Sequence, residues 1–543
     1  MRYLTYLFLL LTLPIFAQKN KKAVAATKPK LVLGIMVDQM RYDYLYRYYD
    51  KYSEGGFKRL MNKGFNCRNN HYHYASTITG PGHAAVYTGS VPAINGIIGN
   101  DWYDPLANRT VYVAEDTTVT AVGTSIAGTE GKRSPVNMKV TTITDQLRLA
   151  TQFNSKVIGI AAKDRGGILP AGHSANAAYW FDGKSGNWIS STYYMKELPQ
   201  WMKDFNDRKL PEKYKAQKWE TLFPIEQYTE SEEDNQEYEN SMAGEKLPVF
   251  PHAINNNGAI LTSPFGNNMT KEIALAALKN EKMGQGNFTD FLCVSFSSPD
   301  YVGHATGTRS IEVEDIYLRL DRDIEEILNE LDATLGKDNY LVFLTADHAA
   351  ADIPSFLKKH KLPGGVWEGS KEVNYLNGKM VEKYGAGKWI KSTDNYQITL
   401  DRELMKKNNV PMNDMFKLVK DELISLGSPV YQVVNFHDMA NTIIPPFYKT
   451  LVENVYNPKR SGDFMILLEP GWFHGASKKG TTHGSMWQYD RHVPLLWYGW
   501  NIPVGETVEQ TYISDIAATL AALLKIQEPS GCVGKAIKPI FDK

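Results

Sequence analysis

The sequence predicts an α/β protein with a doubly wound, mostly parallel sheet sandwiched by helices, in one large domain carrying cap-like insertions. Two observations carry this expectation. Short apolar runs each finish in a polar cluster, as parallel strands do when their C-terminal ends build a site. Helical periods lie between the runs, so helices are expected on both faces of the sheet.

The runs can be taken in order. Leu31 to Val37 ends at Asp38, and Lys156 to Ala162 ends at Lys163-Asp164-Arg165. Phe291 to Phe296 leads to Asp300, and Tyr340 to Thr345 leads to Asp347-His348. A further apolar strand is expected from Val493 to Tyr498, behind the loop Gly480-Thr-Thr-His-Gly484. Ile311 to Leu335 alternates apolar and acidic positions as an amphipathic helix does, and Ile513 to Leu524 reads as an apolar helix. Two stretches exceed ordinary loop length and are read as insertions that cap the site, about 177–259 and about 355–479. No internal repeat, low-complexity tract or flexible linker divides the chain into independent modules.

The N-terminus carries an apolar run from Leu4 to Phe16 ending at Ala17, then a lysine-rich stretch. This is the pattern of a secretory signal peptide over residues 1–17, too short to span a bilayer, leaving 18–543 as a soluble mature protein. The 60 basic and 60 acidic side chains balance to a net charge of zero, which gives no reason to expect a nucleic-acid or membrane-surface partner. The three cysteines, Cys67, Cys293 and Cys532, are too few for a disulfide scaffold and lack the C-x-x-C spacing of a thiolate zinc site. Cys293 reads as a small core residue, while pairing of Cys67 with Cys532 stays open. Any metal must therefore be held by Asp and His.

Asp300 and His304 are four residues apart behind a buried strand, so a helical turn would bring both to one side. On its own that spacing more often marks a surface hydrogen-bonded pair. Asp347 and His348 at a strand end are costly to bury unless coordinated or hydrogen-bonded. Asp38 repeats that placement, and His483 adds a third imidazole. Three Asp and three His suit two zinc ions with a position left for substrate. Thr79 precedes Gly80-Pro-Gly82, a turn into a helix expected to begin near His83. A hydroxyl there is usually a cap, yet beside zinc it would lose its proton readily, and the helix dipole favours an incoming phosphoryl group. Lys163, Arg165 and Asn100 would be ordinary surface residues in isolation, and next to a dinuclear site they become phosphoryl clamps. His71, His73, His83 and His173 are not needed as ligands and read as structural.

In this order the motifs Val-Asp-Gln-Met-Arg, Thr-Gly-Pro-Gly-His, Gly-Asn-Asp-Trp, Lys-Asp-Arg-Gly-Gly, Ser-Pro-Asp-Tyr-Val-Gly-His, Ala-Asp-His and Thr-Thr-His-Gly resemble the alkaline phosphatase superfamily. The likeness is to the phosphate-irrepressible alkaline phosphatases with a threonine nucleophile. It implies one zinc on Asp300, His304 and His483 and another on Asp38, Asp347 and His348. It also implies Thr79 as the nucleophile bridging to the second zinc, and Asn100, Lys163 and Arg165 on the non-bridging phosphoryl oxygens. The activity implied is hydrolysis of small phosphate monoesters through a phosphothreonine, by a monomer in the periplasm or outside the cell. The alternatives are a nucleotide pyrophosphatase or phosphodiesterase of the same superfamily and, more remotely, a non-catalytic periplasmic metal- or ligand-binding protein. A sulfatase is disfavoured because Cys67 is followed by Arg-Asn-Asn, and a phosphomutase by the export signal.

Overall fold

A computed structural model describes residues 28–242, 244–475 and 479–542, so the expected signal peptide lies outside the described residues. The chain builds a ten-stranded sheet. In chain order its strands are β1 (Leu31–Val37), β2 (Phe65–Cys67), β3 (Ala121–Val122), β4 (Val157–Ala161), β5 (Ala177–Asp182), β6 (Asn187–Ser191), β7 (Asp290–Phe296), β8 (Tyr340–Thr345), β9 (Leu495–Gly499) and β10 (Gly505–Thr507). Their spatial order is β10-β2-β9-β8-β1-β7-β4-β5-β6-β3. The middle strands β8, β1, β7, β4 and β5 are parallel, and β9 and β6 close the parallel block with antiparallel pairings.

The central strands are uninterrupted apolar runs because both faces are covered, and every residue of β1, β7 and β8 is buried. The helices that matter for the site are α1 (Thr79–Thr88), α2 (Asp164–Ala171), α3 (Ser298–Thr306) and α4 (Ile311–Thr334). A Cβ on Gly34 of β1 would lie 2.4 Å from the Tyr87 hydroxyl and 2.7 Å from the Phe343 ring, so glycine is what lets α1 seat on the sheet.

Two boundaries differ from expectation. Residues 177–191 are not insertion: they form β5 and β6 of the main sheet, because Ala-Ala-Tyr-Trp-Phe-Asp pairs in parallel with β4 and is wholly buried. Helix α1 starts at Thr79 rather than near His83, since proline is tolerated in a first turn, where the missing N–H has no intrahelical partner to lose. The segment 355–479 carries its own elements. Helices Gly369–Tyr384 and Met412–Ser425 lie with a four-stranded sheet of Ile390–Ser392, Gln397–Leu400, Phe464–Leu468 and Val430–Asn435. That sheet has a core of its own, around Trp389, Met415, Phe464 and Ile466. All three cysteines are free.

Candidate active site

The parallel strands deliver their following residues to one edge of the sheet. Asp38 follows β1, Lys163 and Arg165 follow β4, Asp300 sits in the first turn of α3 behind β7, and Asp347-His348 follow β8. His483 arrives from the loop ahead of β9. All six expected metal ligands meet there. On α3, Asp300 Oδ1 lies 3.2 Å from His304 Nε2, as an i,i+4 pair on one helix face should, and 3.6 Å from His483 Nε2. Asp347 Oδ2 lies 3.3 Å from His348 Nε2, and Asp300 Oδ1 is 4.0 Å from the same nitrogen.

The three imidazoles share one device. His304 Nδ1 donates to Thr481 O at 2.8 Å, His348 Nδ1 to Ala349 O at 2.9 Å, and His483 Nδ1 to Thr77 O at 2.7 Å. A carbonyl can only accept, so Nδ1 carries a proton and each ring turns its Nε2 toward the carboxylates. Burial holds His348 down to about 4, and burial with His348 alongside pushes His483 well below the usual imidazole range. Burial would lower His304 too, but Asp300 outweighs it and raises that ring. Burial alone would raise Asp300, yet His304 and Lys163 hold it well below the usual carboxylate range, whereas burial and Asp38 push Asp347 well above.

Donor chemistry and orphaned oxygens test whether a cation fits. Asp347 Oδ2 is buried without a hydrogen-bond donor, and Asp38 Oδ2 is faced only by the Lys163 ammonium, 3.1 Å away. A carboxylate oxygen facing an unprotonated nitrogen is repulsive unless a cation lies between them. Asp, Asp and His, with Asp, His and His beside them, are donor sets that zinc accepts. His83, read as structural, stands close to the ligands: its ring is 3.5 Å from Asp38 Oδ1 and 3.7 Å from Asp347 Oδ2. Both its nitrogens are engaged, Nδ1 with Thr79 O at 2.9 Å and Nε2 with Ser295 Oγ at 2.8 Å, so it supports the ligands and has no lone pair to spare.

Thr79 is the first residue of α1, one place beyond the Ile78 cap position, so its hydroxyl does not sit at the cap. Its Oγ1 lies 3.5 Å from His348 Nε2. Asn100 is brought to the same helix end, where its Oδ1 accepts from Gly80 N at 2.8 Å and leaves its amide as donor. Lys163 Nζ bridges the two carboxylate groups, 2.5 Å from Asp300 Oδ2 and 3.1 Å from Asp38 Oδ2. Burial would lower the Lys163 ammonium, but Asp300 and Asp38 outweigh it and keep it charged. Arg165 Nη1 donates to the Tyr112 hydroxyl at 3.2 Å, while its Nε is buried without an acceptor.

Several supporting residues carried no sequence signal. Gln39 N donates to Asp347 Oδ1 at 3.0 Å and its Nε2 to Asp300 Oδ1 at 2.8 Å, and its backbone is left-handed at φ 63°. Ser295 Oγ donates to Asp38 Oδ1 at 2.7 Å. Tyr112 ties Asp164 to Arg165, and Tyr301 places its ring 4.8 Å from Lys163 Nζ. Of these, Gln39 and Tyr301 stood beside an expected ligand in the chain.

Three carboxylates, three imidazoles that turn Nε2 inward, a hydroxyl at a helix start, buried Lys163 and half-buried Arg165 can hold divalent metal and receive an anionic ester. Residues 32–492 match the family model described as type I phosphodiesterase / nucleotide pyrophosphatase. The chain is 48% identical over 96% of its length to alkaline phosphatase PafA of Elizabethkingia meningoseptica, covering 96% of that protein. It is 47% identical over 95% of its length to alkaline phosphatase PhoV of Synechococcus elongatus, covering 93% of it. The crystal structure of wild-type alkaline phosphatase PafA superposes with a TM-score of 0.92 at 47% identity, over 95% of this chain and 99% of that one. The chain therefore belongs to the type I phosphodiesterase / nucleotide pyrophosphatase family, in the alkaline phosphatase superfamily, and resembles its PafA-type members along almost its whole length.

Proposed function

We propose that the protein is an exported, zinc-dependent alkaline phosphatase that hydrolyses phosphate monoesters through a covalent phosphothreonine at Thr79. The observation that carries this reading is the placement of two cationic side chains, buried Lys163 and half-buried Arg165, at the same sheet edge as Thr79 and the six ligands. Asp300, His304 and His483 would hold one zinc ion, and Asp38, Asp347, His348 and Thr79 the other. Bound there, zinc supplies positive charge that makes the Thr79 hydroxyl acidic and balances charge on the departing oxygen.

The chain's own residues do the rest. Thr79 Oγ1 attacks phosphorus in line and forms the phosphothreonine while the ester oxygen leaves. Water then attacks the same phosphorus from the vacated side and returns Thr79. Asn100, Lys163 and Arg165 meet the non-bridging oxygens, whose charge is spread over the loosely bonded transition state. The positive end of α1 favours the anion at its first residue.

A second reading, a diesterase or nucleotide pyrophosphatase, is favoured by the description of the matching family model. A monoester dianion presents more charge than a diester, so the lysine and arginine favour the monoesterase. Export rests on the apolar run at Leu4 to Phe16, and no helix among the described residues is long and apolar enough to cross a membrane. The deciding experiment compares an aryl phosphate monoester with its methyl diester, with and without chelator. A large, chelator-sensitive monoester preference is expected. A diester preference would overturn the roles given to Lys163 and Arg165, and inactivity on both would leave a binding protein.

A further inference from the structure

Away from the edge that carries Thr79, a third group of acids is drawn together. Asp234, Glu239 and Glu312 each offer a carboxylate oxygen, and these oxygens lie within 4.8 Å of one another. Glu239 and Glu312 are buried and Asp234 is half-buried. Acids crowd together on many surfaces, so closeness alone says little. Here a second observation points to a ligand: Glu312 Oε2 is buried and has no hydrogen-bond donor. The neighbouring imidazole does not explain it. His252 stands between two other glutamate oxygens, with Nε2 3.2 Å from Glu312 Oε1 and Nδ1 2.9 Å from Glu245 Oε2. Burial would depress the His252 imidazolium, but Glu312 and Glu245 outweigh it and raise it. It therefore acts as a charge partner with both nitrogens spoken for.

We infer that Asp234, Glu239 and Glu312 form a binding site for a hard divalent cation, Ca2+, separate from the six-ligand centre. Oxygens bound to one Ca2+ at about 2.3–2.6 Å stand at most about 5 Å apart, which the observed spread satisfies. All the available donors are carboxylates, the chemistry of calcium rather than of zinc. Half-buried Asp234 leaves a side through which water can complete the shell. Burial and the adjacent Glu312 carboxylate raise Glu239, which is the strain a cation would relieve.

The position of the group gives the ion a task. Glu312 opens α4, directly after the helix that carries His304. On the other strand of chain, Asn240 N donates to Ala305 O at 2.9 Å, Gly480 N donates to Tyr238 O at 2.7 Å, and Lys479 Nζ donates to Glu239 O at 3.0 Å. An ion joining Glu239 to Glu312 would thus pin segment 234–240 against the helix that carries His304 and the loop that carries His483. It is a brace, and its existence does not depend on what Thr79 does.

The competing account is a proton shared between Glu239 and Glu312. The test takes the full-length, zinc-loaded protein, equilibrates it with buffered free Ca2+, and measures bound calcium and Tm. The expected result is a single additional Ca2+ per chain and a Tm that climbs with free Ca2+. Glu239→Gln should lose both responses while retaining the zinc content of the unmutated chain, and Asp234→Asn, at the half-exposed donor, should shift the Ca2+ response to higher concentration. No bound Ca2+ and no Tm response in the unmutated protein would overturn the inference in favour of the shared proton. A Glu239→Gln variant that keeps the full response would also overturn it, by putting the ion elsewhere.

Discussion

At the scale of single residues the site depends on which atoms are already engaged. Nδ1 of His304, His348 and His483 is tied to backbone carbonyls, which leaves Nε2 for coordination. His83 keeps neither nitrogen free. Residue types and their order singled out the candidate ligands in the sequence, because Asp38, Asp300 and Asp347-His348 come shortly after apolar strands and His483 lies in a loop ahead of one. They did not show His83, Ser295 or Tyr112, whose contacts with Asp38, Asp347 and Arg165 join chain segments far apart in sequence. In the proposed mechanism Arg165 belongs to the charge clamp, and its buried Nε lacks an acceptor among the described residues. Arg165→Ala should lower kcat/KM for a phosphate monoester about a hundredfold, the scale of losing one charge-stabilising donor, and lower the diester rate far less. Parallel kinetics on the two esters check this, and equal losses would remove Arg165 from the clamp.

At the scale of elements, the approach of α1 to the strand end behind β8 sets the distance between Thr79 and the ligands. A Cβ on Gly82 would lie 2.2 Å from the Asp347 carbonyl oxygen and 2.8 Å from Asp347 Cα, with no flexible side chain able to yield. Gly82→Ala should therefore displace α1 from Asp347 and lower kcat by at least about tenfold, since small misplacements in a site of this kind are expensive. Its kcat and zinc content can be measured together, and full activity would show that the close approach is dispensable.

Helix Ile143–Ala150 illustrates a stability effect with a definite sign. Burial would raise its Asp145, but hydrogen bonds from His173, Thr142 and Ser174 outweigh burial and bring it down to about 2. A folded pKa below the unfolded value of ~3.9 adds stability above that value, lost as pH falls through about 2. Asp145→Asn should cost on the order of 2 kcal/mol at neutral pH and flatten the acid limb of the stability curve between those values. Denaturant melts across that pH range read it directly.

At the scale of the whole molecule, the chain joins a large α/β core to a smaller core of its own between residues 355 and 479. The parallel centre was legible in sequence because buried parallel strands are unbroken apolar runs. The start of the first expected insertion was misplaced because Ala177–Asp182 is rich in aromatic residues, like the loop that follows it, and only pairing with β4 distinguishes the two. The turn between two strands of the smaller sheet reaches the site: Asn395 Nδ2 donates to Asp101 O at 2.6 Å, next to Asn100. Removing divalent metal with a chelator should lower Tm as well as abolish activity, because Asp347 would then face His348 with no cation between them. Recovery of both on adding Zn2+ is the expected result, and an unchanged Tm would show that the ligand cluster is stable without metal.

The central claim is that Thr79 carries the phosphoryl group. The most direct measurement is to quench turnover of a phosphate monoester in acid, digest the protein and locate the phosphorylated peptide by mass spectrometry. The account predicts phosphothreonine at Thr79 in the native chain, with neither phosphopeptide nor turnover in Thr79→Ala. Phosphate on another residue, or an active Thr79→Ala variant, would contradict it.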